Sequence, residues 1–231
     1  MYDVGNIFRL HTKVCSYMID DESVIKKERR WERRRNMFQR VQTKEEHFWF
    51  EQLWGDFCEE RDLMFVERNL NPSRFLLIEG GHFIGTVECM RYSTPEHSNS
   101  EFFYPFSENE LVKGLKNVYE IGKLSIVKTS RGRGHFKRLT AILFIHALEM
   151  KAEWYIAVVT KRMYMYLLTL GFPIEPIDDP FPFHDTLQGV PVRIHARKGL
   201  THLYSLKEFR DIIQGNAHAQ ALIKENIMLT R

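Results

Sequence analysis

An apolar run that meets a basic, glycine-containing turn constrains this chain more than any other feature. Residues 119–127 are mostly apolar, as in a buried β-strand, and residues 131–136 carry two arginines and two glycines before a helical pattern begins. Gly132 and Gly134 let backbone amides approach a ligand closely, and the first turn of a helix leaves its own N–H groups unpaired. The junction predicts a strand, a phosphate-binding turn and a helix, although such a turn can also simply join two elements.

The residues that follow the turn extend this pattern. Apolar side chains at positions 136, 139, 143, 147 and 150 have the spacing of a helix that packs on a sheet. Residues 154–160 then predict a buried strand, and residues 162–170 a second helix that ends at Gly171. Neither Gly-x-Gly-x-x-Gly nor Gly-x-x-x-x-Gly-Lys-Ser/Thr occurs, which disfavours a Rossmann or P-loop fold.

Composition limits the remaining possibilities. The 231 residues, 44% of them hydrophobic, predict one domain with decorated ends: a basic helical arm at 1–44, the main domain at 45–200 and a helical extension at 201–231. No apolar run approaches the ~20 residues that span a bilayer, and the charged start is unlike a signal peptide. Cys15, Cys58 and Cys89 lack metal-type spacing, so we expect a cytoplasmic protein without a metal.

The basic residues are unevenly distributed. The net charge of +3 does not by itself imply nucleic-acid binding. Residues 26–35, however, hold seven basic and two acidic side chains. This density suits an acidic protein, a phosphate-rich ligand or an anionic membrane, and it is also found on solvated helix faces.

The other segments have weaker patterns. Residues 45–65 predict an aromatic amphipathic helix, and Gly80 and Gly81 predict the turn of a β-hairpin. Residues 93–117 read as an irregular excursion, and residues 173–191 as a proline-rich loop before a last strand at 192–195. Ser205 and Glu208 match a capping box that opens a C-terminal helix.

This order of elements resembles the GCN5-related N-acyltransferases over roughly residues 50–200. Within that superfamily it is most similar to the autoinducer synthases and the long-chain N-acyl amino acid synthases. The residues that carry the resemblance are Arg131 and Gly134 in the turn, Gly85, Thr86 and Arg91 in the hairpin, Glu120 in the central strand, and His184 with Gly189 and Pro191. The resemblance implies an α/β acyl-CoA N-acyltransferase fold with a mixed central sheet flanked by helices.

Three positions depart from the family patterns. Phe136 replaces a small residue at the end of the phosphate turn, and Lys123 stands where autoinducer synthases have an arginine. Leu167 stands where many acetyl-CoA enzymes have a tyrosine that protonates the leaving thiolate. The last departure favours the autoinducer-type branch, and Lys123 argues against homoserine-lactone chemistry.

The resemblance also implies a reaction: acyl transfer from a pantetheine thioester, on acyl-CoA or acyl-carrier protein, to a small amine that attacks directly. Glu120 would be the general base, or a structural carboxylate paired with Lys123 or Arg91. Arg91 would bind an acceptor carboxylate or pair with Glu88 or Glu120, and His184 would contact substrate or lie on the surface. The implied donor-binding residues are Leu124, Ser125, Ile126, Arg131, Gly132, Arg133, Gly134, His135 and Phe136.

Two further questions concern the ligand. The apolar cluster at residues 163–168 would line an acyl groove or pack in the core. The basic segment at 26–35 would suit an acidic carrier protein as donor. In the alternative function, the chain is a non-catalytic acyl-CoA-binding or signal-binding regulator with the same fold, whose basic arm contacts nucleic acid or a partner.

Overall fold

The structure is a computed structural model, and it describes residues 37–63, 71–184, 187–214 and 216–228. The basic segment at 26–35 and Cys15 lie outside the described residues. The strands are β1 (Phe38–Arg40), β2 (Ser73–Glu79), β3 (His82–Arg91), β4 (Val118–Ile126), β5 (Trp154–Thr160), β6 (Ile174–Pro176), β7 (Phe181–His184) and β8 (Leu187–His195). The helices are α1 (Lys44–Arg61), α2 (His135–Met150), α3 (Lys161–Thr169), α4 (Ala196–Ser205), α5 (Lys207–Gln214) and α6 (Ala217–Met228).

One mixed sheet organises these elements. Its strand order is β1-β2-β3-β4-β5-β8-β6, and β7 also pairs with β8. The β4–β5 pair in the middle is parallel, and the other pairs are antiparallel. The predicted α/β architecture with a mixed sheet is therefore confirmed.

The β2–β3 hairpin turns at the predicted glycines. Gly80 and Gly81 have φ angles of 57° and 84°, in the left-handed region that a tight hairpin turn requires. The register shifts by one residue just after the turn, because Ile78 lies opposite Phe83 while Leu77 lies opposite Gly85. This bulge at Ile84 moves every later cross-strand pair along by one residue.

A second bulge interrupts β4. Glu88 lies opposite Gly122 and Thr86 opposite Ser125, so Val87 faces two residues of β4 instead of one. Lys123, inside the bulge, has a φ of 45°, and its carbonyl accepts a hydrogen bond of 2.6 Å from the Thr86 hydroxyl. The extra residue shifts the alternation of side chains along β4. Two side chains on either side of the bulge therefore share a face when they are an odd number of residues apart.

The bulge therefore assigns the two faces of β4. Ile121 and Leu124 pack in the cluster that contains Leu139 and Ile142 of α2. Glu120 points to the opposite face, where Val118 packs with Phe106 from the irregular segment. That segment, predicted as an excursion, consists of turns and short 3-10 helices between β3 and β4.

The C-terminal helices pack on the outer side of α2. Phe209 and Ile213 of α5 join Phe144 and Ile145 of α2 in one buried cluster. The predicted capping box at Ser205 is wrong: Ser205 is the last residue of α4, and its hydroxyl donates to the carbonyl of His202. The motif indicated a helix start, but a serine hydroxyl can also donate to a backbone carbonyl at the end of a helix.

The interpretation of residues 173–191 as a loop is also wrong. This segment contains β6 and β7, and β8 begins at Leu187 and not at position 192. Prolines favoured the loop interpretation, but Pro176 and Pro182 lie in short strands that pair, among the described strands, with β8 alone. Edge positions tolerate proline because they need no second ladder of hydrogen bonds.

Candidate functional site

The centre of the candidate site is a split in the sheet between β4 and β5. Only three residue pairs join these strands, Val118 with Trp154, Tyr119 with Tyr155 and Glu120 with Ile156. Beyond Glu120, β4 continues to Ile126 paired with β3 alone, and β5 continues to Thr160 paired with β8 alone. Among the described residues, the facing backbone edges are thus free of strand partners over about 20 Å of β4 and about 13 Å of β5, at 3.3 Å per residue.

The predicted phosphate turn lies at the far end of this split. A 3-10 turn at Lys128–Ser130 follows β4, and α2 begins at His135. Gly132 and Gly134 have φ angles of 77° and 81°, and a Cβ on either would point into open space. Gly134 caps α2 without any side-chain cap, so the first N–H groups of the helix face that space.

The Arg131 side chain is held by α1. Its guanidinium donates to both carboxylate oxygens of Glu60 at 2.6 and 2.8 Å, and its Nε donates to the carbonyl of Ile126 at 2.8 Å. The guanidinium also lies 5.5 Å from the ring centre of Phe57. A cavity of about 250 Å³, lined by Leu53 and Asp56 among others, separates α1 from the end of β4.

Glu120 lies at the opposite end of the split, where the β4–β5 pairing stops. Its side chain is 1% exposed. One oxygen accepts a 2.8 Å hydrogen bond from the backbone N–H of Ser100, and the other has no hydrogen-bond partner. Burial raises the pKa of this carboxyl, while the donation from Ser100 works in the opposite direction.

Glu120 forms no ion pair with Lys123 or Arg91. The Lys123 ammonium, 1% exposed, lies 3.5 Å from a carboxylate oxygen of Glu88 and 5.7 Å from the ring centre of Phe50. The alternative in which Glu120 is a structural carboxylate paired with Lys123 or Arg91 is therefore wrong.

A buried cluster of charges surrounds Glu88 instead. Arg74 donates to Glu88 at 2.7 Å and to Glu51 of α1 at 2.8 Å. Lys123 contributes the second cation, and Asn99 donates to the other oxygen of Glu88 at 3.4 Å. This cluster ties α1 to β2, β3 and the bulge of β4.

The structure does not bring Arg91 to Glu120. Met90 lies directly opposite Glu120, and Arg91 lies opposite Tyr119, so the Arg91 side chain leaves the sheet on the other face. His184, expected in a loop, is the last residue of β7, and its side chain lies outside the described part of the chain. Roles for both residues in binding substrate stay predictions.

The apolar cluster on α3 divides between the two predicted environments. Met163 and Tyr164 pack against a core cluster that includes the buried Leu167. Met165 and Leu168 are exposed, and the exposed Tyr166 ring contacts Phe136 at 5.6 Å near the start of α2. The exposed part of α3 therefore adjoins the phosphate turn.

Three functional contacts were missed at the sequence level. The Ser100 N–H that binds Glu120 comes from an irregular segment with no pattern to locate it. Asp56 and Glu60 line the cavity beside the phosphate turn. Their spacing of four residues, which places both on one face of α1, was the signal in the sequence that could have identified them.

Several solved structures share this architecture. The CoA-dependent acyl-homoserine lactone synthase BjaI, solved with SAM and isopentyl-CoA, matches with a TM-score of 0.57 and 16% identity, over 73% of this chain and 88% of its own. FeeM, an N-acyl amino acid synthase from uncultured soil microbes, matches with a TM-score of 0.54 and 10% identity, over 75% and 96%. The fold is that of the acyl-CoA N-acyltransferases. The resemblance to the autoinducer synthase branch is confirmed at the level of the fold, since the acyl-homoserine lactone synthase LasI also matches, with a TM-score of 0.54 and 16% identity, over 67% and 85%.

Sequence comparison adds no closer relative. No family model matches the chain, and no curated protein is significantly similar to it. Within the described ranges, no helix is long and apolar enough to cross a membrane. The same residues contain no group of three or more His, Cys, Asp or Glu side chains placed to hold a metal ion.

Proposed function

We propose that this protein transfers an acyl group from a pantetheine thioester to an amine. The observation that carries the proposal is the split between β4 and β5, which begins at the buried Glu120 and leads to the glycine-containing turn before α2. An extended pantetheine arm can hydrogen-bond to the free strand edge while its phosphate group contacts the turn. The similar folds of BjaI and FeeM support this reading.

The donor would bind along β4. Backbone groups of Leu124, Ser125 and Ile126 lie on the part of the strand without a β5 partner. The phosphates of CoA, or the single phosphate of a carrier-bound arm, would contact N–H groups of the turn from Arg131 to Phe136. Because the Arg131 guanidinium is engaged by Glu60, backbone amides supply most of this contact.

Glu120 would act as the general base. The acceptor nitrogen attacks the thioester carbonyl carbon, and Glu120 takes a proton from that nitrogen, directly or through a water molecule. The C–S bond then breaks, the acyl group stays on nitrogen, and the thiolate leaves and is protonated by solvent. A raised pKa suits this role, because a stronger base takes the proton more readily near neutral pH.

The acceptor would approach from the face of the sheet to which Glu120 points. The segment that contains Ser98 and Ser100 covers the carboxylate there, and both serines are buried. An acceptor must displace part of this segment or use a water molecule as a relay. Covering of this kind excludes bulk water from the reacting atoms.

Thiol release from purified protein tests the proposal. We expect free thiol to appear with acyl-CoA or acyl-carrier protein as donor and with a panel of amines and amino acids as acceptors. Donor binding, measured by calorimetry on the same samples, should occur without acceptor. Binding of donor without turnover by any acceptor would favour the non-catalytic regulator.

The phosphate turn has its own test. Gly134→Val places a side chain in the space beside the first N–H groups of α2, and we expect donor affinity to fall about tenfold, or about 1.4 kcal/mol. Gly80→Val is the matched control, because Gly80 has a φ of 57° and open space in the β2–β3 turn, outside both cavities. Equal affinities of the two variants would contradict the assignment.

A further inference from the structure

A second cavity lies at the end of β4 away from the phosphate turn. It has a volume of about 540 Å³ and is bounded by the end of β3 and the loop that leads into β4. Pockets that bind small molecules usually measure about 300–1,000 Å³. Val118 lines this cavity and Ile126 lines the other one, so the two sites are separated by about 26 Å along the strand.

The lining of this cavity is cationic. Arg91, Lys113 and Lys116 contribute to it, and none of the described residues that line it carries a carboxylate. Arg91 and Lys116 have no ion-pair partner in the described part of the chain. Lys113 pairs with Glu110 at 2.7 Å, but the Glu110 side chain is 83% exposed. Exposed pairs of this kind are weak, so Lys113 can exchange its partner at little cost.

The loop also presents backbone donors. Gly114 has a φ of 79° and Asn117 a φ of 47°, which turns the chain twice within four residues. The N–H groups of Gly114 and Lys116 have no intramolecular acceptor among the described residues. Successive N–H groups beside left-handed residues form concave sites that favour anions.

We propose that this cavity binds a phosphate monoester. A monoester carries up to two negative charges and three free oxygens, which match three cations and nearby amide donors better than one carboxylate does. The planar fork of Arg91 can bind two of these oxygens. The site lies at the opposite end of β4 from the proposed donor phosphate.

Titration with inorganic phosphate, followed by amide NMR at constant ionic strength, tests this site. We expect the amide signals of Gly114 and Lys116 to shift and saturate. The R91Q/K116Q variant should weaken this binding at least tenfold and leave any response of Gly132 and Gly134 unchanged. The R197Q/K198Q variant, which removes the same two charges from an exposed part of α4, should bind as the parent does.

Three results would overturn the proposal. The first is the absence of saturable shifts at Gly114 and Lys116. The second is an equal response to chloride, which would indicate screening of charge and not a site. The third is equal weakening by R197Q/K198Q, which would indicate that net charge alone attracts the phosphate. Each of these readouts is independent of turnover, so failure here leaves the acyltransferase proposal standing.

Discussion

Two buried glutamates on one face of the sheet differ sharply in their surroundings. Glu88 and Glu120 are each 1% exposed and lie on neighbouring strands, two residues apart in register. Glu88 is held by the cations of Arg74 and Lys123. Glu120 has a single backbone donor, from Ser100, and an oxygen without any partner.

The difference distinguishes a structural charge from the carboxylate that we propose as the general base. A buried carboxylate with two cations stays ionised and ties strands together, so a change in its charge costs several kcal/mol. A buried carboxylate with only neutral donors can gain or lose a proton at little structural cost. Burial and the type of residue are the same at both positions, so the partners decide which role each glutamate takes.

The largest effect is expected at Glu88. Glu88→Gln removes a buried negative charge that contacts two buried cations, and we expect the free energy of unfolding to fall by about 3 kcal/mol. Glu51→Gln is the matched control, since Glu51 contacts the same two cations but its side chain is 47% exposed. We expect the control to lose under about 1 kcal/mol in urea denaturation. Equal losses of unfolding free energy in the two variants would show that Glu88 stabilises the fold no more than the exposed Glu51 does.

A smaller effect should follow removal of the backbone donor to Glu120. Ser100→Pro deletes the N–H that stabilises the ionised carboxylate, a hydrogen bond worth about 1.5 kcal/mol. The acid limb of kcat/KM should therefore move to higher pH. Ser100→Ala keeps the N–H and loses only the hydroxyl, which lowers the pKa of Glu120 less than the N–H does, so the limb should move less. An unmoved limb in the proline variant would show that this carboxylate does not control the rate.

The smallest effect concerns stability and pH. Because burial raises the pKa of Glu120, the folded protein holds this proton more tightly than the unfolded chain does. The wild type should lose stability as pH rises from the unfolded pKa through the folded pKa, and Glu120→Gln removes that loss. We expect the variant to gain stability relative to wild type as the pH rises above the unfolded pKa of about 4.3, measured by chemical denaturation. A difference in stability between the two proteins that does not change with pH would show that folding does not raise the pKa of Glu120.

Much of the fold was predictable because its signals are local. Gly80 and Gly81 predicted the hairpin turn. The order of β4, α2, β5 and α3 was predictable from the turn at 131–136 and from the apolar spacing of the residues that follow it. Prolines hid β6 and β7, since their tolerance at an edge depends on neighbours that sequence does not reveal.

The partners of the two glutamates were not predictable, because two bulges set the registers. In a hairpin with a two-residue turn and no bulge, Val87 would lie opposite Arg74. The bulge at Ile84 shifts the register by one residue, so that Glu88 lies opposite Arg74. The bulge at Lys123 turns that side chain towards Glu88 and keeps it away from Glu120. Glu120 itself was found through the resemblance of β4 to a known family, whereas its donor lies in a segment without any pattern.

The most direct measurement of the central claim is the turnover of Glu120→Gln. This change keeps the shape of the side chain and removes the proton acceptor. We predict that kcat falls about 10²-fold, the usual size for loss of a general base, while the Kd of the donor measured by calorimetry stays the same. Full activity across the pH range, with an unchanged acid limb, would contradict it.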